Sequence, residues 1–176
     1  MRIRKLEINP LALLGTGCLI ASMLIPWWGF FTNNNTESFL YPYIIKGPVV
    51  NMIGYPRSPQ MVLLTWALVI SIILGLLGSF IQKNPGRIFR FLSGSITAFF
   101  LYRFIYRMTE IADAFNLPLQ GVGDAEYGGF FVATATSSLK PGFYLACAGA
   151  ALLILAAIIA WKIGFGHSPL PVTTEG

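Results

Sequence analysis

Charged side chains are scarce in this chain. Of its 176 residues, 11% are Asp, Glu, Lys or Arg, whereas 55% are hydrophobic. An ordinary soluble domain carries about 25% charged residues. The deficit excludes a disordered chain, a soluble enzyme of ordinary composition and a nucleic-acid-binding protein with a dense basic surface. The class that remains is an integral membrane protein.

Histidine and cysteine are nearly missing as well. The one histidine, His167, lies in the C-terminal tail, which argues against haem ligation, a histidine-rich copper site, a di-iron site and a Ser-His-Asp triad. Cys18 and Cys147 lie in apolar stretches and are interpreted as small apolar fillers. The sequence also lacks a phosphate-binding glycine loop in a strand-to-helix context. We therefore predict no catalytic site, no metal and no cofactor other than bound lipid.

Four apolar runs stand out against these absences. A helix that crosses a bilayer needs about 20 mostly apolar residues, and stretches of that length cover residues 11–30, 61–81, 88–112 and 142–162. We predict one membrane domain over residues 1–176. It is expected to be all-α, an antiparallel bundle of four transmembrane helices, with outer loops at 31–60 and 113–141.

The first run follows a basic N-terminus and could be confused with a signal peptide. A signal peptide has an apolar region of roughly 7–15 residues and a small-residue cleavage site. This run is longer and ends in Pro26, Trp27, Trp28 and Phe30, which is typical of an aromatic belt at a membrane interface. We expect the run to be retained as a helix.

The placement of lysine and arginine predicts the orientation of the bundle. With the N-terminus inside, the charge excess of +5 lies wholly on the cytoplasmic side and the outer side is neutral. We therefore predict a multi-pass protein of the cell membrane with both termini in the cytoplasm, and no nucleic-acid partner is needed to explain the charge. The inner cations are Arg2, Arg4, Lys5, Lys83, Arg87, Arg90 and Lys162.

The outer loops are predicted to form a small extracellular β-sheet. Ser38–Ile45 and Pro48–Ile53 in the first loop, and Phe130–Thr136 in the second, are rich in β-branched and aromatic residues, as strands are. Asn34 begins an Asn-Asn-Thr sequon, which is either a glycosylation site or part of a turn.

Ionisable residues that approach the membrane gather on the third run, at spacings that place the charged ones along one helix face. The cluster comprises Tyr102, Arg103, Tyr106, Arg107, Glu110 and Asp113. One interpretation is a pathway or a binding site at the outer leaflet for an anion, a lipid headgroup or a quinone-like ligand. The other is a helix that projects from the bilayer, with its arginines reaching headgroups or pairing with the acids.

Small residues at four-residue spacing let membrane helices approach closely. Such stripes are formed by Gly17 and Ala21 in the first run, and by Gly142, Ala146 and Ala150, with Gly149 nearby, in the fourth. These stripes either pack the bundle internally or receive a neighbouring subunit, and both interpretations stay open.

The first run ends in Leu24-Ile25-Pro26-Trp27-Trp28, and the fourth opens with Pro141-Gly142-Phe143-Tyr144-Leu145-Ala146. With this layout of helices and loops, the chain resembles the claudin-like four-helix proteins and a broad set of prokaryotic four-helix membrane proteins that have a Pro-Trp step after the first helix. The resemblance covers nearly the whole chain and implies a bundle below a small sheet, with an outward-facing contact surface. The tryptophan and cysteine signature of claudin loops has no counterpart here, so a junctional pore is not implied.

Three functions follow as hypotheses. The first is a non-catalytic accessory subunit of a membrane complex, or a self-associating membrane protein, whose partners are membrane lipids and other subunits or copies of itself. The second is a small channel or transporter that uses the charges of the third helix. The third is a quinone- or lipid-holding subunit of a membrane enzyme. For the first, the expected contact surface includes the apolar loop residues Phe39, Leu40, Tyr41, Tyr43, Ile44, Ile45, Phe130 and Phe131.

Overall fold

The computed structural model describes residues 8–32, 36–48, 56–81, 84–114, 116–127 and 130–165. These residues contain four helices: α1 (Pro10–Leu24), α2 (Pro59–Phe80), α3 (Asn84–Ala114) and α4 (Pro141–Phe165). They also contain five strands: β1 (Trp28–Thr32), β2 (Thr36–Leu40), β3 (Ile45–Lys46), β4 (Gly121–Tyr127) and β5 (Phe130–Leu139). The chain is therefore mostly helical with a small antiparallel sheet, as predicted.

The helices form a ring in which each packs against two neighbours. Helix α1 contacts α2 and α4, and α3 contacts the same two helices from the other side. All four meet at Gly75 of α2, where an added Cβ would lie 2.5 Å from Thr16 Oγ1, 3.2 Å from Ser93 Oγ and 3.4 Å from Leu153 Cδ2. The axis of the bundle is thus close-packed at this level, because glycine lets the neighbouring helices approach.

Three of the described helices, α2, α3 and α4, are long and apolar enough to cross a membrane. Helix α1 has 15 residues and ends at Leu24, so the prediction of a helix to residue 30 is wrong. Ile25 is extended (φ −110°, ψ 141°) because the ring of Pro26 disfavours helical backbone in the residue before it. At 1.5 Å per residue, α1 spans about 22 Å, less than the roughly 30 Å of a hydrocarbon core.

The sheet has the order β3-β2-β1-β5-β4, so β1 lies at its centre between the two loops. Strand β1 pairs Trp28 with Leu40 of β2 on one side and with Leu139 of β5 on the other. The predicted strand at residues 130–136 is confirmed within β5. The predicted strand Ser38–Ile45 is broken around Pro42 into the end of β2 and the start of β3.

Two strands were not predicted. Strand β1 lies in an apolar run that was interpreted as helix, and β4 contains two glycines and two acids, which gives it low strand propensity. Each forms because β5 pairs with it along its length. Asn34 and residues 49–53 of the predicted strand Pro48–Ile53 lie outside the described residues.

Trp27 joins the sheet to the bundle and is not an interfacial aromatic as predicted. Its side chain is 0% exposed, its Nε1–H donates to the Ser22 carbonyl at 2.8 Å, and its ring lies 5.2 Å from that of Phe104. Its backbone N–H donates to Leu40, and its carbonyl accepts from the N–H of Lys140. One tryptophan therefore links α1, α3 and both halves of the sheet.

The segment that follows α1 and the first residues of α4 pack against each other. A Cβ on Gly142 would collide with the carbonyl oxygens of Ile25 and Pro26 and with the ring of Trp27. The ring of Phe143 lies 5.9 Å from that of Trp27. Only glycine at this position lets the start of α4 pack so closely against the backbone that links α1 to the sheet.

Candidate functional site: an arginine-lined groove at the sheet end

A groove of about 430 Å³ opens between α2 and α3 at the end of the bundle that adjoins the sheet. We call this end the sheet end, and the opposite end, where α2 leads into α3, the turn end. The floor of the groove is apolar because the sheet contributes Leu40 and Ile45, α2 contributes Leu64, and α3 contributes Phe100 and Phe104. The groove is therefore built from two of the three membrane-length helices and from the first loop.

Two arginines line this groove, Arg103 and Arg107. They lie four residues apart on α3 and are therefore adjacent on one helix face, where like charges repel each other. Arg107 Nη1 donates to Glu110 Oε2 at 2.7 Å, in a pair whose side chains are 51% and 43% exposed. Among the described residues this is the one salt bridge. Arg103 forms no ion pair there, although its charge interacts with that of Glu110.

The other members of the predicted cluster lie away from the groove. Tyr102 is 67% exposed and Tyr106 is 51% exposed, and neither lines the groove. Glu110 and Asp113 are also exposed and lie beyond the two arginines, in the last turns of α3. The structure thus brings Arg103 and Arg107 together at an apolar surface, whereas Tyr102 and Tyr106 do not line it and Tyr106 interacts with Glu110.

The length of α2 relates the groove to a bilayer. Its 22 residues span about 33 Å, which matches the thickness of a hydrocarbon core. The groove is lined by Ser58, Pro59 and Gln60, where this helix begins. In a bilayer that covers α2, the two arginines would therefore lie near the headgroup level.

At the turn end, Arg90 is buried in the bundle with 2% of its surface exposed. Its Nε–H donates to the Gly78 carbonyl at 2.7 Å, while Nη1 and Nη2 donate to the carbonyls of Ala156 and Ile81, each at 3.3 Å. Gly78 and Ile81 lie at the C-terminal end of α2, where carbonyls lack helical partners and the helix dipole is negative. Arg90 therefore caps α2 from a neighbouring helix and ties it to α4.

Sequence reasoning missed this role of Arg90 because it counted the residue only among the cations that set the orientation. The signal was present, since Arg90 falls inside the predicted third span, where an arginine needs buried partners. Those partners are backbone carbonyls, which a sequence does not display as a pattern.

The small-residue stripes fall into two groups. On α4, Ala146 and Ala150 are buried, and a Cβ on Gly149 would lie 2.8 Å from the Gly15 carbonyl. That stripe is internal, and Gly15, which was not singled out, is its counterpart on α1. Gly17 faces outward with nothing within 4 Å of an added Cβ, and Ala21 is half-buried.

The apolar loop residues are less exposed than predicted. The side chains from Phe39 to Ile45 are half-buried or buried, with Phe39 against Phe31 and Leu40 packed on the bundle core. The side chains of Phe130 and Phe131 lie outside the description. Within the described part of the first loop, Leu40 and Ile45 line the groove.

Within the part of the chain that the structure describes, no group of three His, Cys, Asp or Glu side chains could hold a metal ion. No protein-family model matches the chain, and no curated protein matches it either. Function must therefore be inferred from the geometry of the chain itself.

Proposed function

We propose that the chain is a non-catalytic integral membrane protein that works by association, as an accessory subunit of a membrane complex or as a self-associating protein. Its membrane-length helices present large apolar side chains outward, including Leu63 (60% exposed), Trp66 (63%) and Phe99 (58%). Such side chains would be costly in water and suit a lipid environment.

The observation that carries the association is the outward face of Gly17. Glycine in a helix costs about 1 kcal/mol relative to alanine. The other glycine of α1, Gly15, is explained by its close contact with α4. Gly17 has nothing within 4 Å of an added Cβ. With Ala21 one turn along, it forms a notch into which a helix of another subunit or copy fits, as small residues allow in membranes.

The proposal is tested by energy transfer between donor- and acceptor-labelled copies in liposomes. Gly17→Leu fills the notch and is expected to lower the association constant about tenfold or more. Ala151→Leu is the matched control, because Ala151 is an outward-facing small residue on α4. Its association constant is expected to stay unchanged.

A monodisperse monomer in mild detergent, with no co-purifying partner, contradicts the proposal. Equal association of the two leucine variants contradicts the role of Gly17. An accessory role, in contrast to self-association, predicts a co-purifying membrane subunit that is lost in Gly17→Leu and kept in Ala151→Leu.

The structure bears differently on the two alternative functions, the channel or transporter and the quinone- or lipid-holding subunit. The close contacts of Thr16, Gly75, Ser93 and Leu153 fill the axis, so a channel through a single copy finds no support in the packing. The groove at the sheet end supports a lipid-holding role as a second candidate, because it combines an apolar floor with cationic walls.

A further inference from the structure

We infer that the groove at the sheet end is a binding site for an anionic phospholipid. Its phosphate binds Arg103 and Arg107, and its acyl chains lie against the apolar floor between α2 and α3. This inference rests on the proposed function in one respect, namely that the chain lies in a membrane and holds a lipid. It does not depend on self-association.

Charge is the first argument. Arg103 forms no salt bridge among the described residues, and Arg107 shares one of its donors, Nη1, with Glu110. Glu110 interacts with both guanidinium groups and offsets one of the two positive charges, so the pair keeps a net positive charge that attracts a further anion. Guanidinium forms paired hydrogen bonds with phosphate oxygens, which fixes both the charge and the geometry of the ligand.

The floor of the groove is the second argument. Leu64, Phe104 and Met108 line it and are 4–8% exposed, so their surfaces belong to the packed core and hold a fixed shape. An apolar floor favours hydrocarbon over a sugar or a small hydrated anion. A volume of about 430 Å³ accommodates a headgroup and the first part of its chains.

Position is the third argument. The groove begins at Ser58 and Pro59, where α2 starts, and continues along α2 past Leu63 and Leu64. In a bilayer that covers α2, this direction runs from the headgroup level into the hydrocarbon. A phospholipid has its charge and its chains in the same order, whereas a quinone has no anionic group for the two arginines.

The test is native mass spectrometry of the full chain in a neutral detergent, titrated with phosphatidylglycerol or with phosphatidylcholine of the same acyl chains. Phosphatidylglycerol is expected to bind at least tenfold more tightly. Replacing both Arg103 and Arg107 by Gln is expected to weaken its binding about fivefold for each arginine. Lysine at both positions is expected to retain more affinity than glutamine, because the charge stays.

The matched control is Arg57→Gln. Arg57 is an exposed cation at the sheet end that directly precedes Ser58 of the groove lining and does not itself line the groove. Its loss removes the same charge from the same end of the molecule and is expected to change binding less than twofold. Circular dichroism and elution volume verify that each variant is folded.

Three results would overturn the inference. The first is unchanged phosphatidylglycerol binding by the folded double glutamine variant. The second is equal binding of glycerol 3-phosphate, which would mean that the apolar floor contributes nothing. The third is displacement of phosphatidylglycerol by a neutral quinone at equal concentration. Association measured with Gly17→Leu is a separate readout, so failure of either proposal is distinguishable from failure of the other.

Discussion

Arg90 and Arg103 lie on the same helix, about 20 Å apart along its axis, and have opposite surroundings. Arg90 is 2% exposed and donates hydrogen bonds to three backbone carbonyls. One belongs to α2, one to α4 and one to Ile81, the residue that follows α2. Arg103 is exposed, lines a groove and forms no salt bridge among the described residues. One arginine therefore caps α2 at the turn end, whereas the other faces an exposed apolar groove at the sheet end.

The difference shows how to interpret a cation in an apolar helix. An arginine whose donors are satisfied by backbone carbonyls stabilises the fold, because its charge is balanced by the helix C-terminus. An arginine with unused donors beside an apolar groove is available for a ligand. Substituting Arg90 should therefore lower stability without changing lipid binding, whereas substituting Arg103 should weaken lipid binding without changing stability.

The largest effect is expected from Trp27→Ala, which removes the junction that supports the sheet end. The buried ring contacts Phe104, which lines the groove. We expect the free energy of unfolding to fall by about 3–5 kcal/mol, with loss of phosphatidylglycerol binding. Denaturant unfolding measures the former. Trp66→Ala is the control, because Trp66 is 63% exposed, and an equal loss of stability there would contradict the prediction.

The next effect is a crossed pair that tests the comparison directly. Arg90→Ala is expected to lower the free energy of unfolding by about 2–4 kcal/mol, because it leaves a cavity and unpaired carbonyls. The lipid affinity of the folded fraction should change less than twofold. Arg103→Ala should do the reverse, with stability changed by at most about 0.5 kcal/mol. If both variants lower stability equally, the two arginines do not differ in role.

A smaller change is expected from Glu110→Gln. Removing the carboxylate releases Arg107 from its ion pair and raises the net positive charge beside the groove. Phosphatidylglycerol binding should tighten about twofold to fivefold. Asp113→Asn is the control, since Asp113 forms no salt bridge within the described part of the chain. An equal gain from both variants would indicate a general charge effect.

The smallest effect is that of salt on the wild-type chain. Raising the ionic strength from about 0.05 M to about 0.5 M should weaken phosphatidylglycerol binding roughly threefold, because exposed charges are screened. The stability lost on substituting Arg90 should be the same at both ionic strengths, because its partners are buried. Titrations and unfolding curves at the two salt concentrations check this.

Much of the helical part of the fold was predictable, because long apolar runs signal helices by length alone. The ends were less predictable. Helix α1 stops before Pro26, and Trp28 continues into the centre of the sheet, although both lie in one apolar run. Apolar composition does not distinguish a buried strand from a helix, and the partner strand β5 is about 100 residues away.

The candidate site was predictable in composition and not in arrangement. The spacing of Arg103 and Arg107 placed them on one helix face, which the groove now combines with Leu40 and Ile45 from a distant loop. Tyr102 and Tyr106 lie in the same stretch but do not line the groove. Spacing relates residues within one helix, whereas a groove depends on which elements pack beside it.

By itself, the sequence determined that this chain is poor in charge, that its apolar runs are long enough to form membrane helices, and that its few ionisable residues near the membrane gather on one of them. These properties follow from local composition and do not depend on contacts with distant segments. Only the tertiary structure decided that Arg90 is buried and Arg103 is open, and that Gly15 faces α4 while Gly17 faces outward. Those outcomes depend on which backbone and side-chain atoms lie opposite each residue, and packing between distant segments brings those atoms into place.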